Sequence, residues 1–173
     1  IRTDVTTKLA SMDSDETITY YAAMYKHYTV TYYSTAEDGN NGQVVISRDS
    51  VEIPVTDTYG EFTVNMDYSV DTGHKFEGWV VSDDTRNNIM DGSDQPVSIT
   101  VNGQETSYYS QGSKLKINGD VTFTAFTTEG HWLVFLENGK GGKYNAPQFI
   151  LTGNTTTQPC TDSEMTRFGY TFK

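Results

Sequence analysis

Cysteine, leucine and positive charge are all scarce in this chain. Its 173 residues include one cysteine, 12 Lys and Arg, and 23 Asp and Glu, so the formal net charge is -11 at pH 7. A single cysteine, Cys160, excludes an intramolecular disulfide and a multi-cysteine zinc site. Because binding to a phosphate backbone needs clustered cations, the charge argues against nucleic acid as a partner. It also argues against docking on an anionic membrane surface.

Long apolar runs are lacking as well. No run of apolar residues is long enough to span a bilayer, and no charged and apolar signal segment stands at the start. We therefore expect no membrane insertion. We interpret the chain as a mature fragment, so the missing signal segment gives no information about its compartment. Few segments show helical periodicity, whereas Thr, Tyr, Val and Gly dominate. This pattern predicts a mainly β fold with little helix.

One motif organises the middle of the chain, Gly73-His-Lys-Phe-Glu-Gly-Trp79. Its alternation predicts a strand that turns Phe76 and Gly78 inward and the charged Lys75 and Glu77 outward. The tryptophan then breaks the alternation. We expect its indole to cap a core.

Three landmarks recur in the same order along the chain. The start of that motif is echoed by Gly169-Tyr-Thr-Phe-Lys173. His27-Tyr-Thr-Val-Thr-Tyr-Tyr33 matches His131-Trp-Leu-Val-Phe-Leu-Glu137, an offset of 104 residues from 27 to 131. Asp15-Glu-Thr-Ile-Thr-Tyr-Tyr-Ala22 resembles Asp120-Val-Thr-Phe-Thr-Ala125, with an offset of 103 between the closing residues 22 and 125. Such self-similarity predicts a tandem repeat.

The landmarks divide the chain into three parts. Residues 1–26 correspond to the C-terminal part of a preceding repeat, residues 27–126 to a complete repeat, and residues 127–173 to the N-terminal part of a following repeat. Inside the complete repeat, two alternating runs flank Asn102-Gly103, which is the strongest short signal for a hairpin. We therefore predict an inserted β-hairpin near residues 97–109. Short strands are also predicted at residues 44–48, 51–55 and 61–65.

Several of these motifs carry a family resemblance. In the middle unit they are Val30-Thr-Tyr32, the Gly73–Trp79 motif and Gly119-Asp-Val-Thr-Phe-Thr-Ala125; in the third unit they are Val134-Phe-Leu-Glu-Asn-Gly-Lys-Gly-Gly142 and Thr166-Arg-Phe-Gly-Tyr-Thr-Phe172. Together they resemble the Listeria-Bacteroides repeat, the B-repeat of internalin-type surface proteins. The resemblance implies small β-grasp-like units in tandem, on secreted or cell-wall-attached bacterial proteins. The middle unit is longer than the family's usual unit, and it closes on Ala125-Phe126 where the family often has Ala-Trp.

We therefore expect a non-enzymatic structural or adhesive segment of a bacterial cell-surface protein, acting as a stalk or spacer. Its expected location is extracellular, at the cell surface or cell wall, and its expected partners are neighbouring repeats of the same protein. No catalytic, metal-binding or cofactor-binding residue is assigned, no cofactor is expected, and the ligand-binding residues are unknown. Aromatic residues are predicted to centre the cores: Trp79, Phe76, Trp132, Phe135, Tyr170 and Phe172.

Two alternatives stay open. A module that binds glycans or a host protein would expose Tyr108 or Tyr109 beside other aromatic residues. A filament subunit would instead join copies into a homo-polymer through its terminal half-repeats, by strand addition, although the same halves could close within one molecule or belong to a longer array. Cys160 is either a small structural residue beside Pro159 or an intermolecular bridge.

Histidines and acidic loops are the remaining chemical candidates. His27 and His131 share one register in successive repeats, and His74 has no carboxylate or nucleophile at a suggestive spacing. Two oxygen-rich loops have the ligand type that hard cations prefer. However, Asp and Asn also favour turns through their own local hydrogen bonds, which is the simpler interpretation. The first loop is Asp38-Gly-Asn-Asn-Gly42, and the second contains Asp83, Asp84, Asn87, Asn88, Asp91 and Asp94.

Overall fold

The computed structural model describes residues 24–35, 44–136, 146–154 and 168–169. In these ranges the regular structure consists of strands and one short 3-10 turn at Arg86–Asn88, so the predicted mainly β class is confirmed. The predictions for residues 1–23, the Asp38 loop, Cys160, Tyr170 and Phe172 lie outside the described residues. The strands are β1 Tyr25–Tyr33, β2 Val45–Pro54, β3 Gly60–Thr63, β4 His74–Val81, β5 Val97–Val101, β6 Gln104–Tyr108, β7 Lys114–Ile117, β8 Val121–Leu133 and β9 Gln148–Leu151.

The main sheet has the strand order β2-β1-β8-β4, and β9 pairs with the far end of β8. Its two central strands, β1 and β8, run parallel, with Val30 opposite Val121. The outer strands β2 and β4 are antiparallel to their neighbours. The first and last strands of the expected middle repeat, β1 and β8, therefore lie side by side at the centre of the sheet.

A second layer covers one face of this sheet. It consists of the antiparallel pair β3 and β7, in which Gly60 lies opposite Ile117. Leu115 and Ile117 on β7 are buried against the alternating residues of the central strands, which Phe123 and Val30 exemplify. Apolar surface removed from water in this way stabilises the fold by roughly 25 cal/mol per Å². The core thus lies between a four-stranded sheet and a two-stranded sheet.

The Gly73–Trp79 motif forms most of β4 and contains a β-bulge between Phe76 and Gly78. The bulge lets Phe76 and Trp79, three residues apart, face the same core, where their ring centroids are 5.2 Å apart. Trp79 is fully buried, as predicted, and its indole N–H donates to the Met66 carbonyl at 2.8 Å. The prediction that Gly78 faces the core with Phe76 is wrong, because the extra residue turns the glycine to the opposite face.

The predicted hairpin is confirmed as β5 and β6, joined by Asn102 and Gly103. Both turn residues have positive φ, 51° and 81°, as a type I′ turn requires. At its base the hairpin is fastened to the edge of β4, because Trp79 and Tyr109 exchange two backbone hydrogen bonds of 2.9 Å. The hairpin therefore extends the sheet edge.

Strand β8 runs without interruption from Val121 to Leu133, across the expected repeat boundary after residue 126. The expectation that Trp132 centres a core is wrong for the described residues, since 45% of this side chain is exposed. It lies on a two-stranded extension beyond the main sheet, where it contacts Phe149 of β9 edge to face at 5.0 Å. Phe135 is half-buried.

Candidate functional site

The extension formed by the end of β8 and by β9 is the first candidate site, and we call it the terminal hairpin (residues 130–133 and 148–151). Its register places Gly130 opposite Leu151 and Trp132 opposite Phe149. Gly130 is required here, because a Cβ atom at this position would collide with the carbonyl oxygen of Ile150. The close approach holds β9 tightly against β8.

Backbone hydrogen bonds show on which side of β8 the partner strand lies. The Gly130 N–H donates to the Gly73 carbonyl beside β4, whereas the Glu129 carbonyl accepts from the Thr152 N–H, both at 2.9 Å. Adjacent N–H and carbonyl groups of one peptide unit point to opposite sides of a strand. β9 therefore lies on the same side of β8 as β1, which pairs with β8 nearer the start of β8.

The terminal hairpin repeats the geometry of the β1–β2 hairpin. Tyr28 of β1 faces Val51 of β2, and Trp132, which is 104 residues after Tyr28, faces Phe149. Both pairs are antiparallel and join an aromatic to an apolar side chain. The end of β8 thus takes the same kind of antiparallel partner as β1.

An apolar row on this extension is open to solvent. Trp132, Val134 and Leu136 stand at every second position and are 45%, 54% and 79% exposed. Trp132 lies on the opposite face of β8 from Phe123 and Ala125, because side chains alternate along a strand, and Val134 and Leu136 follow just beyond the end of β8. A shallow groove of about 340 Å³ borders the row, with Leu133 and Ile150 among its lining residues. A row of large apolar side chains at this exposure is typical of an interaction surface.

His74 and Asp71 form the second candidate. His74 Nδ1 lies 2.6 Å from Asp71 Oδ1, and the same carboxylate accepts a hydrogen bond from the Gly73 N–H at 3.0 Å. The hydrogen bond from His74 and then that from Gly73 lower the pKa of Asp71. The expectation that His74 lacks a carboxylate at a suggestive spacing is therefore wrong. The carboxylate lies three residues earlier, across a turn whose geometry the strand pattern did not indicate.

Glu77, expected to point outward, is nearly buried on the face opposite the core. Its side chain is 6% exposed, and its Oε2 lies 2.8 Å from Lys75 Nζ. The other carboxylate oxygen accepts a hydrogen bond from the Thr128 hydroxyl at 2.8 Å. Glu77 therefore lies on the predicted face, away from Phe76, but its side chain is not solvent-exposed, and the Tyr108 ring lies over the neighbouring Gly78 on this face. Both carboxylate oxygens have partners, which suits a structural role.

The exposed tyrosines expected of a glycan-binding surface are absent at the two positions that were proposed for it. Tyr108 and Tyr109 are 8% and 7% exposed, so that expectation is wrong. Tyr109 packs on Phe123 in the core, and Tyr108 packs on Phe126 on the other face, beneath the hairpin. Burial raises the pKa of both phenols. The two rings pack on opposite faces of the main sheet, so alternation does not expose either of them.

The oxygen-rich loop between β4 and β5 uses its polar groups locally. Asp83 contacts Arg86 at 2.8 Å, and Asp94 accepts the Lys114 N–H at 2.7 Å. The Asn88 side chain donates to the Asp120 carbonyl at 2.7 Å. In the ranges that the structure describes, no group of three His, Cys, Asp or Glu side chains is placed to hold a metal ion.

His27 and His131, which share one register in the expected repeats, are both exposed. His27 lies opposite Glu52 with 3.6 Å between Nδ1 and Oε1, and His131 lies opposite Ile150. They occupy matching places in the two hairpins, and His131 lies two residues beyond Glu129, the β8 residue opposite His74.

No family model, curated protein or solved structure matches the chain. The resemblance to the Listeria-Bacteroides repeat therefore stays a prediction. Among the described residues, no helix has both the length and the apolar character that a membrane crossing requires.

Proposed function

We propose that this chain is a non-enzymatic structural segment of a bacterial surface protein, a stalk or spacer built from tandem β-grasp-like repeats outside the cell. The observation that carries the proposal is the path of the chain through the middle unit. The chain enters at the start of β1 and leaves at the end of β8, and these two strands are parallel neighbours. The two ends therefore lie at opposite ends of one sheet.

The length of the unit follows from this register. Tyr25 lies five residues before Val30, Val30 is opposite Val121, and Leu133 lies twelve residues beyond Val121. At a rise of about 3.3 Å per residue, the two ends are roughly 56 Å apart. A tandem series of such units would extend along the strand direction, which suits a spacer.

The same path suits a segment that bears tension. Force applied at the two ends slides β1 against β8 along their length. All hydrogen bonds between the two strands then resist together, whereas a hairpin pulled at its open end loses them one at a time. The central position of this pair places further strands on both sides of it.

Strand order supports the β-grasp-like part of the proposal. In a β-grasp sheet the first and last strands are parallel neighbours at the centre, and antiparallel strands flank them, as β2 and β4 do here. Among the described residues, β3 and β7 cover the core face at the place where a β-grasp carries a helix. The matched Tyr28–Val51 and Trp132–Phe149 pairs support the tandem repeat.

The non-enzymatic part rests on how the polar groups are used. The Asp71 carboxylate closes a turn by accepting from Gly73, and the Glu77 carboxylate is held by Lys75 and Thr128. Both acids thus serve the backbone or a neighbouring strand. The scattered negative charge suits a soluble extracellular segment that resists self-association.

Single-molecule pulling tests the spacer function through two attachment geometries in a Cys160→Ser background. Handles on Met24→Cys and Val134→Cys load β1 and β8 in shear. Handles on Met24→Cys and Val55→Cys peel β1 from β2, because Val55 and Met24 are joined by a 3.0 Å hydrogen bond at the open end of that hairpin. All three sites are exposed, at 64%, 54% and 41% for Met24, Val134 and Val55, so the handles leave the core intact.

We expect a several-fold higher rupture force for the shear geometry. A released length that matches the whole middle unit in one step would identify it as a single mechanical element. Equal or lower force in the shear geometry would overturn the load-bearing function.

A further inference from the structure

We infer that the inserted hairpin, β5 and β6, is a clasp that fastens the terminal hairpin to the main sheet and so fixes its direction. The base of the clasp is attached to β4, and its tip lies at the turn that follows β9. The inference goes beyond the proposed spacer function, because it rests on contacts among the described residues. In a spacer, the clasp would make the segment stiffer.

The base of the hairpin is held by backbone and side-chain contacts. Trp79 and Tyr109 form an isolated antiparallel bridge with two hydrogen bonds of 2.9 Å. The Tyr108 ring lies over Gly78, where a Cβ atom would come within 2.5 Å of it. The same ring packs on Phe126 of β8, with 5.7 Å between the centroids. The base therefore adds to the edge of β4, and from Tyr108 onwards the hairpin lies on the face of the sheet opposite the core.

The tip of the hairpin lies beside the turn after β9. A Cβ atom at Gly153 would be 3.8 Å from Oδ1 of Asn102, which is an ordinary van der Waals separation. The residue before Gly153 is Thr152, whose N–H donates to the Glu129 carbonyl on the side of β8 away from β4. The hairpin thus begins at β4 and ends on the far side of β8.

The lengths of the elements agree with an oblique path across β8. Phe126 and Glu129 are three residues apart, or roughly 10 Å along β8, and β9 lies one strand spacing of about 5 Å to the side. The five residues of β5 span roughly 17 Å, which is enough to cover this distance. Between the two points, Thr128 and the Glu77 side chain on this face are only 2% and 6% exposed. Their burial agrees with a hairpin that passes over them.

The two faces of the hairpin differ in exposure. Register and alternation give Tyr108 three half-buried neighbours on its own face, Ile99, Val101 and Thr106, together with the exposed Val97 and Gln104. The other face carries only exposed residues, Ser98, Thr100, Glu105 and Ser107. A hairpin that projected freely into solvent would expose both faces alike. The face that carries Tyr108 therefore rests on other parts of the molecule.

The terminal hairpin is the element that needs such support. Among the described strands, β9 pairs with β8 alone. A two-stranded ribbon is marginally stable by itself. A second contact at Gly153, on the strand farther from β4, restrains both the bending of the ribbon and the separation of β9 from β8.

A shortened hairpin tests the clasp. The variant lacks two residues from each strand, Thr100, Val101, Gln104 and Glu105. Asn102 and Gly103 then connect Ile99 to Thr106, which already face each other. Because an even number of residues leaves each strand, the register and the face of every remaining side chain are kept. The tip is withdrawn by about 7 Å, out of contact with Gly153.

A milder variant and a matched control accompany the deletion. Asn102→Gly keeps a turn that accepts positive φ and removes only the side chain that reaches Gly153. It also carries the test if the shortened chain does not fold. Thr100→Ala, on the exposed face of the same hairpin, is the control.

Amide hydrogen exchange, resolved by residue with NMR, measures how firmly β9 is held. We expect the Thr152 amide, and the amides of β9 that pair with β8, to exchange several-fold faster in the shortened variant, because local opening then costs less free energy. Asn102→Gly should show a smaller increase. The Thr100→Ala control, and the core amides of Val30 and Phe123 in every variant, should match the wild type.

Spin labels measure the direction of the terminal hairpin. The labels are placed on the exposed Val55→Cys and Val134→Cys in a Cys160→Ser background. We expect a wider distribution of distances between them in the shortened variant than in the wild type.

Two results would overturn the inference. The first is an unchanged Thr152 exchange rate together with an unchanged distance distribution in both hairpin variants, which would mean that the tip contact holds nothing. The second is an equal rise in exchange at Thr152 and at Phe123, which would make the hairpin a stabiliser of the whole fold. Neither result bears on the comparison of shear and peeling forces for β1, so a failure here is distinguishable from a failure of the spacer function.

Discussion

The hydroxyl of Tyr32 is an exception within the core. The ring is fully buried and packs against Trp79 at 4.7 Å and Phe123 at 5.5 Å. The hydroxyl itself has no hydrogen-bond partner, which costs about 1–3 kcal/mol for a buried polar group. Burial and then the nearby Asp49 carboxylate raise the pKa of this phenol.

Tyr32→Phe should therefore stabilise the fold. The substitution keeps the ring contacts and removes the unpaired hydroxyl, so we expect the free energy of unfolding to rise by about 1 kcal/mol in a urea titration. The gain should widen above pH 10, because the unfolded wild-type chain can ionise this phenol and the folded chain resists it. Trp79→Phe, which loses the bond to the Met66 carbonyl, should instead destabilise. A Tyr32→Phe chain less stable than wild type would contradict the assignment of an unpaired hydroxyl.

The Asp71–His74 pair predicts the behaviour of one carboxyl group. Since hydrogen bonds from His74 and Gly73 lower the pKa of Asp71, its carbon chemical shift should titrate below the ordinary value of 3.8. What the pair contributes is present above the ordinary pKa and is lost as the pH falls through the lowered one. His74→Ala should raise the titration midpoint towards 3.8, whereas His27→Ala should leave it unchanged. An unchanged midpoint in His74→Ala would refute the pairing.

At the scale of elements, the bulge in β4 depends on one glycine. A Cβ atom at Gly78 would lie 2.5 Å from both the Tyr108 ring and the Tyr109 carbonyl. Gly78→Ala should thus push the base of the hairpin off β4 and cost about 1–3 kcal/mol of unfolding free energy. Gly73→Ala, in the same motif, is the control, because its Cβ would meet only an ordinary contact of 3.5 Å. Chemical denaturation of both variants checks this, and equal stability would refute the close approach.

Local signals predicted some elements well and missed others. The Asn102-Gly103 turn was predictable because only a few residue types tolerate positive φ at both central positions. Two short strands expected at residues 44–48 and 51–55 are one strand, β2, since pairing with β1 carries it through the polar residues between them. The bulge at Gly78 was not predictable from alternation, because it depends on where Tyr108 and Tyr109 return to the sheet.

At the scale of the whole molecule, the repeat spacing predicts which strands are equivalent but does not predict which strands are neighbours. The parallel pairing of β1 with β8 joins residues about ninety positions apart, from Val30 to Val121, and no local pattern contains that contact. The exposed row at Trp132 was missed for the same reason. Its residues have the pattern of a core, and only the three-dimensional arrangement shows that the face is open.

In the proposed tandem array, the unbroken path of β8 would link one unit to the next. Phe123 and Ala125 face the core from odd-numbered positions of β8, whereas the exposed Trp132 stands at an even-numbered one. Since side chains alternate strictly along a strand, a joint shortened or lengthened by one residue would turn the following unit over. The number of residues between two cores would then decide whether successive units stack on the same side or on alternating sides, and a single insertion would be enough to change the shape of the whole array.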